Sequence, residues 1–217
     1  INKKQFNCFF ICYNQYVDYI VGDSMKVPLR FQVTEFDCGT VSLLNAFSYL
    51  FDRKEIPAEL VKAIHSYTLD CYDEYGNIGQ GGTSREAINK LSHWIERYSK
   101  KKDFGVHCER LEKEEVNLEN IKKCLKNNGV VFVRCWMEVE HYVIITKIDN
   151  KRAYIFDPYY VSKGYYNRDK DIRIVLSKPF NYNRVVKLSR LFSETKRDLS
   201  LGEISMRECV LINKIRR

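Results

Sequence analysis

The order of its segments predicts an α+β fold, with helices in the first half of the chain and an antiparallel β-sheet in the second. Two observations carry this. Apolar residues recur at helical spacing in three segments between residues 38 and 98. Beyond about residue 104 short β-rich runs take over, and two of them, HYVIITKID and AYIFDPYY, are separated by a polar turn at Asn150-Lys151. That short polar separation marks an antiparallel hairpin, and helices followed by such strands segregate into two halves.

The first helix is expected over 38–51, with Val41, Leu44, Phe47, Leu50 and Phe51 as its apolar set and Asp37 as its N-cap. Pro57 opens a second helix that presents Leu60, Val61 and Ile64. Thr83 to Glu86 reads as a capping box and starts a third, carrying Ile88, Leu91, Trp94, Ile95 and Tyr98. The glycine-rich stretch YGNIGQGGTS between the last two follows no strand and has no lysine after its glycines, so it reads as a long turn or a bend over a cleft rather than a phosphate cradle. A strand near 104–110, a short helix from Leu118 to Lys126 closed by Gly129, and a strand from Val130 to Met137 precede the hairpin. A helix around 183–192 and a strand near 208–213 end the chain.

Size and composition fit one domain. The chain has 217 residues and 25.8 kDa, with four prolines and ten glycines, too few for long linkers. Its +8 net charge is scattered, and the densest basic runs, Lys100-Lys101-Lys102 and Lys214 to Arg217, are short, so no nucleic-acid partner is expected. The eight cysteines have irregular spacings that fit neither a disulfide framework nor a zinc site. They are expected to be free, in a reducing, cytoplasmic setting, with no metal and no organic cofactor. No segment has the roughly 20 apolar residues of a membrane span. Asn7, Asn14, Gln15 and Asp18 interrupt the aromatic stretch from Phe6 to Val21, which is therefore not read as a signal peptide. Met25 is an alternative start, leaving residues 1–24 as an extension and 25–217 as the domain.

Four residues distant in the chain suggest chemistry. Cys38 falls in the first turn of an apolar helix, where unpaired N–H groups and the helix dipole favour thiolate. His141 opens one hairpin strand and Asp157 closes the next, so the turn brings them within two or three positions of register. A carboxylate so placed fixes an imidazole's tautomer while the other ring nitrogen faces a nucleophile. Gln32, six residues before Cys38, offers an amide to the oxyanion that acyl transfer develops. His65, His93 and His107 lack such a context and read as structural.

With these residues in view, FQVTEFDCGTVSLLNAFSYLF resembles the nucleophile segment of the bacteriocin-processing, double-glycine leader peptidases, a bacterial family. HYVIITKIDNKRAYIFDP resembles that family's histidine and Asp-Pro segments, and the likeness covers about residues 30–160. It implies a papain-like cysteine peptidase fold with Cys38 as nucleophile, His141 as general base, Asp157 as orienter and Gln32 in the oxyanion hole. It also implies a peptide or protein substrate and a separate peptide-export transporter as partner. Residues 161–217 have no counterpart in the resemblance and form a divergent C-terminal part. Two alternatives stay open: acyl transfer to an amine or thiol at the same site, and a silent peptide-binding module.

Overall fold

The computed structural model describes residues 26–215. The expected extension over 1–24, with Cys8 and Cys12, lies outside the described residues.

Among the described residues three helices come first: α1 (Cys38–Leu50), α2 (Ala58–Thr68) and α3 (Arg85–Lys102). The inward stripe of α1 runs through Cys38, Ser42, Leu43, Ala46 and Phe47, whereas Val41 and Leu44 are only half-buried. Phe47 and Phe51 of the expected stripe are buried, while its other positions give way to Leu43 and Ala46. Asp37 precedes α1 but makes no side-chain cap hydrogen bond. Nor does a capping box at Thr83 start α3. Ser84 caps it by accepting from the backbone N–H of Ala87 at 3.0 Å, while Thr83 donates to the Thr68 carbonyl at 3.0 Å.

The strands are β1 (Val106–Glu112), β2 (Gly129–Met137), β3 (Val139–Ile148), β4 (Arg152–Phe156), β5 (Ile172–Ile174), β6 (Arg184–Lys187) and β7 (Glu208–Lys214). Helix α4 (Leu118–Lys126) precedes β2, and a single turn, α5 (Leu188–Leu191), follows β6. Part of the helix expected around 183–192 is thus strand: Arg184, Val185 and Val186 pair with β4, as β-branched residues favour, and only Leu188–Leu191 is helical.

All seven strands join one antiparallel sheet in the order β1-β7-β2-β3-β4-β6-β5. On one face Phe132, Tyr142, Ile144, Phe156 and Ile212 pack against Phe47, Leu60, Ile64 and Leu91 of α1, α2 and α3. On the other Val133, Val143, Ile145, Ile155 and Val186 pack against Ile121 of α4 and against Leu191, Leu199 and Leu201 of the C-terminal part. Burial on both faces explains why β2 reads as GVVFV, with no alternation. The architecture is α+β, with N-terminal helices on an antiparallel sheet, as the segment order predicted.

Candidate active site

Local chemistry fixes each candidate residue. Ser42, one helical turn after Cys38, donates to the Tyr142 carbonyl at 2.9 Å, fastening the start of α1 to the start of β3. Thr40 and Thr68 bond through their hydroxyls at 2.6 Å and tie the same turn to α2. The Asn45 amide pairs with both backbone groups of Arg30, each at 2.8 Å, and the Gln32 N–H donates to the Pro158 carbonyl at 2.9 Å. The segment before Cys38 is therefore strapped between α1 and the turn after β4.

The β3–β4 hairpin sets the second half. Its ladder pairs Ile144 with Phe156 and Ile145 with Ile155, so continuing that register puts His141 against Tyr159 and Asp157 two residues away, on the same face. The His141 Nε2–H donates to Asp157 Oδ1 at 2.8 Å. A carboxylate only accepts, which assigns that proton to Nε2. The Cys38 thiol lies against the imidazole, close enough to act on its proton. Cys38, His141 and Asp157 are all buried, Asp157 completely. Burial disfavours a charged ring at His141. The charge and hydrogen bond of Asp157, joined by Cys38, outweigh it and push the imidazole up to about 10.

Gln32 is placed differently. Its amide donates to the carbonyls of Thr34 at 2.8 Å and Glu35 at 3.2 Å, within its own loop. Among the described residues its Oε1 is buried without a hydrogen-bond partner. Three aromatic or apolar side chains of this segment, Phe31, Val33 and Phe36, are exposed, and Phe31 meets exposed Tyr160 edge-on at 5.3 Å. Tyr142, next to His141, lies in the core, stacked on Phe132 with its hydroxyl on Glu208 at 2.7 Å.

Two residues around Asp157 escaped the sequence reading. Asn183 accepts from the Asp157 N–H at 2.8 Å and donates to its carbonyl at 2.7 Å, acting as a strand partner. Arg184, wholly buried, lies with Nε 3.5 Å from Asp157 Oδ2. The signal was there: an arginine in NRVVK at the inward position two before Val186. The expectation of a helix hid it. Glu208 also went unnoticed, a buried carboxylate gathering Arg110 at 2.8 Å, Arg134 at 3.2 Å and Arg85 at 3.3 Å.

All six cysteines among the described residues are free. Cys135, opposite His141 in β2, has its thiol pushed well up by burial and then by the nearby Asp157. No described helix is long and apolar enough to cross a membrane.

No family model matches the chain, and no curated protein matches it in sequence. Several solved structures are similar to it, among them two peptidases. One is a double-glycine motif protease from an AMS/PCAT transporter, in complex with the leader peptide, at 17% identity and TM-score 0.40, covering 89% of this chain and 95% of the other. The second is a candidate C39-like peptidase from Bacillus anthracis, at 14% identity and TM-score 0.47, covering 89% of this chain and 96% of the other.

Proposed function

We propose that the chain is a cysteine peptidase that hydrolyses a peptide bond through a thioacyl enzyme. The observation that carries the reading is the buried His141, with Nε2 bonded to Asp157 at 2.8 Å and the thiol of Cys38, at a helix N-terminus, near enough to act on the ring. An imidazole that keeps its proton to about pH 10 can hold Cys38 as a thiolate. The sulfur then attacks the peptide carbonyl carbon, forming the C–S bond. His141 passes its proton to the leaving amine as the C–N bond breaks. It next takes a proton from water, whose oxygen displaces the sulfur and releases the acid.

The carbonyl oxygen gains charge in both steps. The backbone N–H of Cys38, in a first turn with no intrahelical acceptor, is one donor to it. Gln32 is the second in this reading, its amide turning from the Thr34 and Glu35 carbonyls when substrate arrives. The exposed Phe31, Val33, Phe36 and Tyr160 offer apolar contacts to a peptide beside the site. The sequence resemblance extends the reading to leader peptides ending in two glycines, delivered to a separate export transporter.

Cleavage of a panel of such peptides, read by mass spectrometry, tests this. Cys38→Ala should lower kcat/KM by about 10⁴-fold or more. Undiminished cleavage by that variant would sink the reading, and products carrying an added amine would redirect it to acyl transfer.

A further inference from the structure

Asp157 and Arg184 form a fully buried pair of opposite charge behind the catalytic histidine. At 3.5 Å the Nε–Oδ2 contact is longer than a hydrogen bond, and among the described residues neither atom has another hydrogen-bond partner. The rest of the guanidinium is anchored. Nη2 donates to the Tyr159 carbonyl at 2.9 Å and Nη1 to the Asn183 carbonyl at 3.2 Å. The same two residues hold Asp157: Asn183 grips its backbone on both sides, and the Tyr159 N–H donates to Oδ1 at 2.8 Å. Oδ1 is thus committed to His141 and Tyr159, and Oδ2 is turned toward the arginine.

We propose that Arg184 is a positioning residue: from β6 it holds the Asp157 carboxylate charged and turned toward His141, and through that pair sets how readily Cys38 becomes a thiolate. This rests on the peptidase reading of the site. An isolated carboxylate out of water is costly and tends to neutralise, and a neutral acid is a poor acceptor for the imidazole N–H. With Arg184 present, thiolate, imidazolium, carboxylate and guanidinium sum to zero inside the fold. Without it the site carries an excess negative charge, which opposes a new anion on sulfur. The other titratable groups facing this pair are neutral: Cys135 from β2 and Tyr166 from the segment after β4, whose hydroxyl burial pushes up. Asp198 faces both of these from the C-terminal part and adds no compensating charge, and Arg134 of β2, which also faces Cys135, is committed to Glu140 and Glu208.

The test combines peptide kinetics with the pH dependence of iodoacetamide labelling at Cys38, located by mass spectrometry, in the full chain. Arg184→Met should lower kcat by about 10- to 100-fold, the loss expected for a partner that orients a working group. KM should change little, and the acid limb of the labelling profile should move to higher pH. Arg184→Lys, which keeps the charge, should recover most of that limb. In an Asp157→Asn background, Arg184→Met should cost little more. A folded Arg184→Met protein with the wild-type limb and kcat overturns the proposal. So does an equal loss in both backgrounds, which would make the arginine merely structural. If Arg184→Met fails to fold, the Asp157→Asn/Arg184→Met double variant decides. Its recovery of a cooperative thermal transition supports the pairing, and its failure where Asp157→Asn folds overturns it. Should the wild-type protein cleave no peptide, the peptidase reading falls, while the labelling limb still reports on Arg184.

Discussion

His141 is a buried base that the fold keeps charged. Its imidazole sits at about 10, above the ordinary value of roughly 6.5 that it would have in the unfolded chain. A group raised on folding contributes stability that is fully present below the unfolded value and is lost as pH rises through the folded one. The His141–Asp157 pair should therefore stabilise the protein at pH 6 and contribute progressively less toward pH 10. Urea midpoints of the wild type and of His141→Gln, measured across that range, should converge as pH rises. A gap that stays constant would mean that the ring is neutral in the fold. In the proposed cycle His141 therefore begins as an acid, ready to protonate the leaving amine.

At the scale of elements, the site depends on how closely α1 approaches the start of α3. A Cβ placed on Gly39 would lie 2.5 Å from Thr83 Oγ1 and 2.8 Å from Thr83 Cβ, closer than such atoms come. Thr83 is itself held by its bond to the Thr68 carbonyl, so the first turn of α1, with Cys38, must move instead. Gly39→Ala should lower kcat/KM by up to about a hundredfold, the cost of misplacing a reacting atom by about 1 Å. Thr83→Gly in the same chain should restore much of it, and a Gly39→Ala protein with full activity would show that the turn yields freely. These elements also show what a sequence makes legible. The helices and the β3–β4 hairpin were readable because their patterns are local: a 3.6-residue period in α2 and α3, and a short turn that sets the His141–Asp157 register. Cys38 was readable from its place at a helix start. Arg184 and Asn183 were not, because β6 has only four residues and runs into the four of α5, too few for either period to emerge. Their meaning also comes from pairing with β4, a contact made some 26 positions away in the chain.

At the scale of the molecule, the part of the chain that the leader-peptidase resemblance leaves out is structurally central. β7 lies between β1 and β2 in the sheet, and among the described residues β1 pairs with no other strand. The C-terminal part also supplies Asn183 and Arg184 behind Asp157, and Glu208 beneath Tyr142. Val210, Leu211 and Ile212 of β7 are buried, each contributing about 1.5–3 kcal/mol by burial. Their combined contribution of about 4.5–9 kcal/mol compares with a typical total stability of about 5–15 kcal/mol. Removing β7 also strips β1 of its ladder, opens the edge of β2, and leaves Arg110 and Arg134 without their buried carboxylate. A chain ended at Arg207 should therefore show no cooperative thermal transition by circular dichroism and no labelling of Cys38 at acidic pH. A sharp transition in that chain would mean that the first 207 residues close their own core, and that the last strand decorates the sheet. The strand order argues otherwise: α1, which carries Cys38, rests on a sheet face to which β7 contributes Val210 and Ile212, so the proposed site is complete only when β7 is in place.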